Sequence, residues 1–440
     1  MFRYYFTLGL RSLRRNRALT ALMVLTLAVG VAASVSTVTI LHAMSGDPLP
    51  HKSDRLFVPM IDVVPLKSYV PGAKPSFGQS QLAYTDAKNF MASNMGVRRT
   101  VMYGVAGPVE PARTDIGAFQ AQGLAPTRDF FAMFEVPFLY GQPWSETDDA
   151  SGADIIVLSR SLAERLLGTV NPVGRRVTVL GQSYLVSGVL DHWDPVPRIH
   201  RIIGSKGAFG TEDEFFIPFA SAIRHETRHD GGMACSGVER GPGFQGTLAS
   251  DCTWLQFWFE MENAGQRGEL QAYLDSYAAE QRKLGRMPRH APNALYNVKE
   301  WMVFLNVVDN DNKLAAWLAF GFLLLCLVNT IGLLLAKFSV RASEVGIRRA
   351  LGATRRDIFR QFLIETGVIG LAGGVLGLLL AYAALAVVRS QSKELGTVAH
   401  MDIPMLLLTF AVSVLAALLA GLLPTWRACQ VTPAIQLKSQ

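Results

Sequence analysis

The stretch SEVGIRRALGATRRDIFRQF, Ser343–Phe362, lies between two long apolar segments and is itself basic and half apolar. Gly352 is placed to end a first amphipathic helix, since glycine is the residue that most often closes a helix C-terminus. Thr354 is followed three residues later by Asp357, which is the capping-box arrangement that begins a second helix. The stretch therefore predicts a helix–turn–helix elbow at a membrane surface.

The apolar segments around this elbow predict a membrane protein. Hydrophobic residues make up 50% of the 440-residue chain and charged residues 18%. Four segments reach the roughly 20 apolar residues that cross a bilayer. Buried core helices of a soluble protein are the alternative for the last three, but charges are restricted to the ends of these runs. A signal peptide is the alternative for the first, but the apolar run of a signal peptide is only about 7–15 residues long.

The basic residues set the expected orientation in the membrane. The net charge of +7 is compatible with nucleic-acid binding, but Lys and Arg cluster beside the apolar segments, as in the cytoplasmic loops of membrane proteins. No nucleic-acid partner is therefore expected. The predicted plan, in chain order, is a cytoplasmic amphipathic segment (1–17), the first span (18–43), an extracytoplasmic domain (44–313, with 191–260 as a candidate inserted subdomain), the second span (314–338), the cytoplasmic elbow (339–363), the third span (364–388), a short external loop (389–402), the fourth span (403–423) and a cytoplasmic tail (424–440).

The extracytoplasmic domain has the composition of a globular α+β fold. Alternating or β-branched runs, such as IIVLS from Ile155 and WLQFWFEM from Trp254, predict strands. Helical segments lie between them, for example RSLAERLLG, with Ser159 as N-cap. Cys235 and Cys252 lie close together in this exported region, which makes them a candidate disulfide. Two unpaired thiols are the alternative.

The motif HETRH, His225–His229, is the strongest sign of an enzyme. On a helix, H-E-x-x-H places two histidines to bind zinc, with Glu226 as the general base. A membrane zinc metalloprotease is therefore the alternative from another class of function. Arg228, between the two histidines, would repel a metal ion, and the glycines after Asp230 would end the helix. We therefore expect no catalytic residue and no metal site in this chain.

The third apolar segment carries two overlapping G-x-x-x-G spacings, Gly370 with Gly374 and Gly373 with Gly377. Small residues four apart let membrane helices approach closely, so this face is expected to pack against another span or another subunit. The ordinary small-residue content of membrane helices is the alternative. Asn329, in the second segment, is expected to form an interhelical hydrogen bond rather than a transport site.

Several stretches of the sequence resemble one known family. Ala342–Thr366 resembles the signature of the FtsX-like permeases of ABC transporters. Leu423–Leu437 is similar to the closing motif of the same family, in which a proline, here Pro424, ends the last span. The extracytoplasmic region resembles the periplasmic core domain of MacB-type exporters in Phe130–Trp144, Val157–Gly168 and Asn171–Leu190.

The resemblance implies that a cytoplasmic ABC ATPase grips the elbow, so that ATP hydrolysis moves the spans and the extracytoplasmic domain. The chain has no G-x-x-x-x-G-K-[ST] loop to hold ATP phosphates, and it begins almost at its first span. ATP and Mg²⁺ are therefore expected in a separate ATPase, and no cofactor is expected in this chain. The residues expected to couple to the ATPase are Glu344, Gly346, Ile347, Arg348, Arg349, Leu351, Gly352, Arg355 and Arg356.

The implied function is export of antibiotics, peptides or lipidic molecules by an inner-membrane permease subunit that has no ATPase activity of its own. The implied partners are the ATPase, a second permease copy or a paralogue, an adaptor with an outer-membrane channel, and the lipid bilayer. Lipoprotein release and regulation of wall hydrolases in cell division are the alternatives within the same family.

Overall fold

The computed structural model describes residues 17–64, 66, 69–74, 76, 80–203, 207–235, 241–308, 310–391 and 403–429. The chain forms two compact units. One comprises the residues up to Ser45 together with those from Val308 onward, and the other comprises Gly46–Val307. The predicted N-terminal segment, external loop and cytoplasmic tail lie mostly outside the described residues.

The described elements, in chain order, are α1 (Arg17–Ser45), β1 (Leu56–Met60), β2 (Leu82–Ala83), α2 (Tyr84–Ala92), β3 (Arg98–Glu110), β4 (Phe119–Pro126), α3 (Asp129–Met133), β5 (Phe138–Gly141), α4 (Glu146–Ser151), β6 (Ile155–Leu158), α5 (Arg160–Leu167), β7 (Arg176–Val179), β8 (Gln182–Leu190), β9 (Phe215–Phe216), α6 (Phe219–Arg224), α7 (Gly243–Ala249), β10 (Thr253–Glu260), α8 (Arg267–Lys283), β11 (Ala294–Asn297), α9 (Val298–Phe304), α10 (Asn310–Val340), α11 (Ala342–Ala350), α12 (Arg355–Gln391) and α13 (Ile403–Cys429). Two short 3₁₀ helices, Ile199–Arg201 and Ala264–Gln266, complete the set.

Within the described residues, the helical unit contains four helices long and apolar enough to cross a membrane, namely α1, α10, α12 and α13. Helix α1 contacts each of the other three. Helix α12 is longer than the predicted third span, because the second helix of the elbow continues into it without a break. Pro424 does not end α13, which runs on to Cys429. Proline is tolerated inside a membrane helix because neighbouring groups can satisfy the carbonyl that it leaves unpaired.

The globular unit is built on one mixed sheet with the strand order β11-β1-β10-β3-β4-β9-β6-β8-β5, in which β2 also pairs with β10 and β7 with β3 and β8. Strand β10 is buried at all of its positions, because both faces of the sheet are covered. Phe257 and Phe259 belong to the core on one face, and Trp258 to the core on the other. This alternation is the two-residue period of a strand.

The stretch 191–260, expected as an inserted subdomain, instead contributes strands to this sheet. Strand β9 pairs in parallel with β4 and antiparallel with β6, and β10 pairs with β1 and β3. The sequence did not predict β9, because this strand is only two residues long and its partners are distant in sequence. The predicted fold class is confirmed: the chain has four membrane helices in a 1+3 arrangement, with an α+β extracytoplasmic domain inserted after the first.

Candidate functional site

The turn between α11 and α12 is closed by a Schellman motif. The N–H of Ala353 donates to the carbonyl of Arg348 over 3.1 Å, and the N–H of Gly352 donates to the carbonyl of Arg349 over 3.1 Å. Gly352 has φ = +97°, a left-handed conformation that glycine adopts without the steric cost of a Cβ atom. The first helix of the elbow therefore ends at a defined place.

The start of α12 is fixed by the reciprocal hydrogen bonds of a capping box. The N–H of Asp357 donates to Oγ1 of Thr354 over 3.3 Å, and the N–H of Thr354 donates to Oδ2 of Asp357 over 3.3 Å. These bonds satisfy two amide groups that the first helical turn would otherwise leave unpaired. The turn between the two helices is thus determined from both sides.

The outward face of the elbow carries two exposed apolar side chains. Ile347 is 58% exposed, and Leu351, the residue that follows α11, is 84% exposed; their spacing of four places them on the same side of the elbow. Among the other predicted coupling residues, Gly352, Arg355 and Arg356 are exposed, Glu344, Arg348 and Arg349 are half-buried, and Gly346 is buried. The elbow therefore offers a small apolar surface near basic side chains.

The inward face of the elbow packs onto the membrane helices. Val345, Ile358 and Phe362 are buried in one cluster with Phe338, and the rings of Phe338 and Phe362 lie 4.3 Å apart between centroids. This packing holds α11 against the end of α10 and the beginning of α12.

Arg348 binds within the elbow. Its Nη2 atom donates to Oε1 of Glu344 over 2.7 Å, and its Nη1 atom donates to Oε1 of Gln361 over 2.8 Å. The pairing of Glu344 with Arg348 follows from their spacing of four residues. The bond to Gln361 bridges α11 and α12, so Arg348 braces the elbow from inside.

A buried charge cluster lies behind the elbow, and sequence reasoning missed it. Nζ of Lys337 is 2.8 Å from Oε1 of Glu365, and Nη1 of Arg341 donates to both carboxylate oxygens of Glu365 over 3.1 Å. The side chains of Lys337 and Glu365 are 0% and 2% exposed. Glu365 could have indicated the cluster from the sequence, because a carboxylate at the start of the apolar part of a membrane helix needs a partner.

The glycine face of α12 packs against α1 in the same chain. Gly370, Gly373, Gly374 and Gly377 are all buried. A Cβ atom on Gly377 would lie 3.1 Å from the carbonyl oxygen of Ala28 and 3.2 Å from Cβ of Val31. The two helices therefore approach so closely here that a Cβ atom at this position would force its neighbours to shift.

We expect Gly377→Ala to destabilise the helical unit by about 1–2 kcal/mol, because the added methyl group meets a carbonyl and a β-branched side chain that have little room to move. The measurement is unfolding in mixed detergent micelles titrated with dodecyl sulfate. Gly367→Ala is the matched control, since its Cβ atom would lie 3.8 Å from its nearest neighbour, Cδ2 of Leu418. Equal stability of the two variants would contradict the close α1–α12 contact.

Two features of the extracytoplasmic domain bear on the sequence expectations. Cys235 and Cys252 are joined by a disulfide with a Cα–Cα distance of 4.1 Å.

HETRH does not form a zinc-binding helix, because α6 ends at Arg224 and Glu226 has φ = +51°. Instead, Nε2 of His225 is 2.8 Å from Oδ1 of Asp154. Among the described residues no group of three or more potential metal ligands comes together.

A buried ion cluster attaches the stretch 191–260 to the sheet. Asp213 pairs with Arg198, His200 and Arg201, and Nη1 of Arg201 donates to the carbonyl of Gly123 in β4 over 3.0 Å. Burial lowers the pKa of His200 to about 4, so this histidine is neutral at ordinary pH. The cluster is a structural element of the domain, and sequence reasoning did not identify it.

Comparison with known proteins agrees with this architecture. The model of the MacB-like periplasmic core domain matches residues 20–250, and the model of the FtsX-like permease C-terminal region matches residues 316–433. The macrolide export ATP-binding/permease protein MacB of Rhodospirillum rubrum is 28% identical over 444 residues, covering 98% of this chain and 59% of that protein. The pyoverdine export ATP-binding/permease protein PvdT of Pseudomonas putida is 26% identical over 319 residues, covering 71% of this chain and 42% of that protein.

The crystal structure of the periplasmic region of MacB from Actinobacillus actinomycetemcomitans aligns with 57% of this chain and 92% of that chain, at 11% identity and a TM-score of 0.36. The chain spans at most about three fifths of the length of the curated relatives named above. The first family model covers more than half of the chain and the second covers the elbow and the last three helices. The chain therefore belongs to the family of MacB-like ABC transporter permeases with an FtsX-like C-terminal region.

Proposed function

We propose that the chain is the permease subunit of an ABC-type exporter, in which a separate cytoplasmic ATPase drives movement of the extracytoplasmic domain through the elbow. The observation that carries the proposal is the elbow itself. It is closed by a Schellman motif and a capping box, it presents Ile347 and Leu351 outward, and it is braced from behind by Arg348 and by the Lys337–Glu365 cluster. A lipid anchor needs only basic charge, whereas a joint that transmits force needs a fixed shape.

The proposal places the elbow and both chain termini in the cytoplasm and residues 44–313 outside it. Lys337, Arg341, Arg348 and Arg349 lie at or near the elbow end of α10 and α12, and Lys and Arg are enriched in cytoplasmic loops. The disulfide between Cys235 and Cys252 supports an oxidising compartment for the globular unit.

In this proposal the partner ATPase holds the ATP and Mg²⁺ of the transport cycle. The present chain is a permease subunit that does not itself bind or hydrolyse nucleotide. Two relatives carry names that refer to macrolide export and to pyoverdine export. By analogy with these relatives, we propose that the present chain takes part in the export of antibiotics, peptides or lipidic molecules. The working unit would contain two permease copies or a copy with a paralogue, and an adaptor with an outer-membrane channel would carry the substrate onward.

The test is co-purification of the chain with its partners in mild detergent. We expect an ABC ATPase in the complex, and we expect the ATPase activity to be higher with the permease in liposomes than for the ATPase alone. A stable, monodisperse chain that recovers no nucleotide-binding protein, and that stimulates no candidate ATPase encoded beside it, would contradict the proposal.

A further inference from the structure

An open pocket of about 550 Å³ lies beside α9, and residues of the globular unit alone line it. The start of α8, strand β11 and α9 form most of its walls, and the exposed residue Lys74 completes them. Aromatic and aliphatic side chains meet basic side chains here. We call it the α9 pocket; the residues that define it are Lys74, Arg267, Tyr296, Lys299, Val303 and Phe304.

Apolar side chains form one wall of the α9 pocket. Val303 is 80% exposed, a larger fraction than for any other large apolar side chain in the described part of the globular unit. The rings of Tyr296 and Phe304 stack with 4.8 Å between their centroids, and the ring of the buried Trp301 lies 5.9 Å from that of Phe304. The wall is therefore held in place from behind, while its apolar surface is left to water or to a ligand.

The basic side chains of the pocket differ in how far they are already used. Nη1 of Arg267 donates to Oε1 of Glu300 and Nη2 donates to the carbonyl of Leu295, each over 2.8 Å. Arg267 therefore joins α8 to β11 and α9, and Glu300 neutralises its charge.

The two lysines keep their charge available for a ligand. Nζ of Lys299 is 3.5 Å from Oδ2 of Asp47, and the lysine side chain remains 69% exposed, so this contact is a weak surface pair. Lys74 is also exposed. Three cations and one carboxylate line the pocket, which leaves a net charge of +2. A ligand that matches the whole pocket therefore has both an anionic group and an apolar part.

The position of α9 in the chain indicates where such a ligand comes from. Helix α9 ends at Phe304 and α10, the second membrane helix, begins at Asn310. The five residues between them cover at most about 20 Å, so connectivity keeps α9 within reach of the outer leaflet in the proposed orientation. Tyrosine, tryptophan and basic side chains are the residues that favour the membrane interface.

We propose that the α9 pocket binds an acidic phospholipid of the outer leaflet, with the phosphate at Lys74 and Lys299 and an acyl chain along Val303 and Phe304. Lysine binds phosphate as a point charge, and each basic residue near an anionic lipid surface strengthens binding. A soluble anion would leave the apolar wall exposed, and a neutral lipid would leave the two lysines without a partner. An acidic lipid uses both parts of the pocket.

This inference goes beyond the proposed function and takes from it only the orientation of the chain. It assigns the extracytoplasmic domain a lipid site that is separate from the elbow, so contact with the ATPase does not depend on it. A lipid held here would fix the end of the domain that precedes α10 at the membrane surface.

The first measurement is quenching of a fluorophore at Val303→Cys by lipids that carry a spin label near the headgroup. The full chain with Cys326→Ala and Cys429→Ser is reconstituted in phosphatidylcholine with increasing phosphatidylglycerol, and quenching should rise with the acidic lipid. Leu284→Cys is the matched control, since Leu284 is 68% exposed but follows α8 at the end about 25 Å from Arg267. The control should show little quenching at any composition.

The second measurement tests the two lysines. Lys74→Gln with Lys299→Gln should raise the phosphatidylglycerol fraction needed for half-maximal quenching about tenfold, because each basic residue contributes roughly a fivefold effect near an anionic surface. Lys88→Gln with Lys283→Gln removes the same charge at two exposed lysines outside the pocket and should leave the titration unchanged. Lys74→Arg with Lys299→Arg should retain most of the binding. Formation of the Cys235–Cys252 disulfide in each variant checks that the domain is folded.

Three results would overturn the proposal. The first is equal quenching at positions 303 and 284, and the second is quenching at position 303 that does not depend on phosphatidylglycerol or on the two lysines. The third is complete displacement of the lipid by glycerol 3-phosphate, which would assign the pocket to a soluble anion. If any of these occurs while the ATPase still co-purifies, the lipid site is wrong and the proposed function stands.

Discussion

Replacing Ile347 and Leu351 together with aspartate is expected to weaken ATPase binding at least about a hundredfold, while insertion and folding remain unchanged. The two side chains are 58% and 84% exposed, so they contribute little to the internal packing of the elbow. If they are buried by a partner, each contributes about 1.5–3 kcal/mol to binding. The substitutions would also place two carboxylates in an apolar contact, which adds to the loss.

The measurement is the amount of ATPase retained by the purified variant, together with the concentration dependence of ATPase stimulation in liposomes. Val340→Asp is the matched control, because Val340 is 76% exposed and lies at the end of α10 rather than at the turn. We expect the control to bind the ATPase normally. Normal binding by the double variant would show that the elbow is not the ATPase contact, and the proposed function would lose its main support.

The structure changes which basic residues are suitable for such a test. Arg348 and Arg349 were both expected to face the ATPase, but Arg348 binds Glu344 and Gln361. Reversing its charge would break the brace between α11 and α12 as well as any external contact. The apolar pair is therefore the cleaner probe, and Arg356, which is exposed near the start of α12, is the better basic residue to alter.

The elements that sequence reasoning located correctly are those fixed by local rules. The Gly352 stop and the Thr354–Asp357 capping box depend on residues within one helical turn, as does the Ser159 cap of α5. Each of these signals is complete within a few residues of the printed sequence. Hydrogen bonds to neighbouring backbone groups determine where these helices begin and end, so the positions can be predicted without knowledge of the tertiary structure.

The features that sequence reasoning missed depend on contacts between distant residues. Strand β9 pairs with β4 and β6, and two phenylalanines give no periodic pattern from which a strand could be predicted. Glu365 meets Lys337 and Arg341 only because the elbow reverses the chain between α10 and α12. Both cations were interpreted solely as markers of the cytoplasmic side, although their spacing of four places them on one face of a helix.

Removing the carboxylate of this cluster has the largest expected effect on stability. Glu365→Ala should destabilise the helical unit by about 3–5 kcal/mol, because it leaves the buried ammonium of Lys337 without its counter-ion. Unfolding in dodecyl sulfate titrations measures the change. Glu344→Ala is the matched control. The side chains of Glu344 and its partner Arg348 are 35% and 38% exposed, and a surface pair at this spacing contributes about 0.3–0.5 kcal/mol to stability.

The double variant Lys337→Met with Glu365→Leu distinguishes a lost charge from lost packing. If desolvation of the charges is the main cost, an apolar pair of similar volume should restore most of the stability, since Arg341 is 11% exposed and can extend toward water. The same variant should keep ATPase binding, because Ile347 and Leu351 are unchanged. Its transport activity should fall if the charges are what hold the elbow rigidly against α10 and α12. Glu365→Ala that is no less stable than Glu344→Ala would rule out the buried cluster. Full transport by the restored variant would show that packing alone, without the charges, makes the joint stiff enough to transmit force.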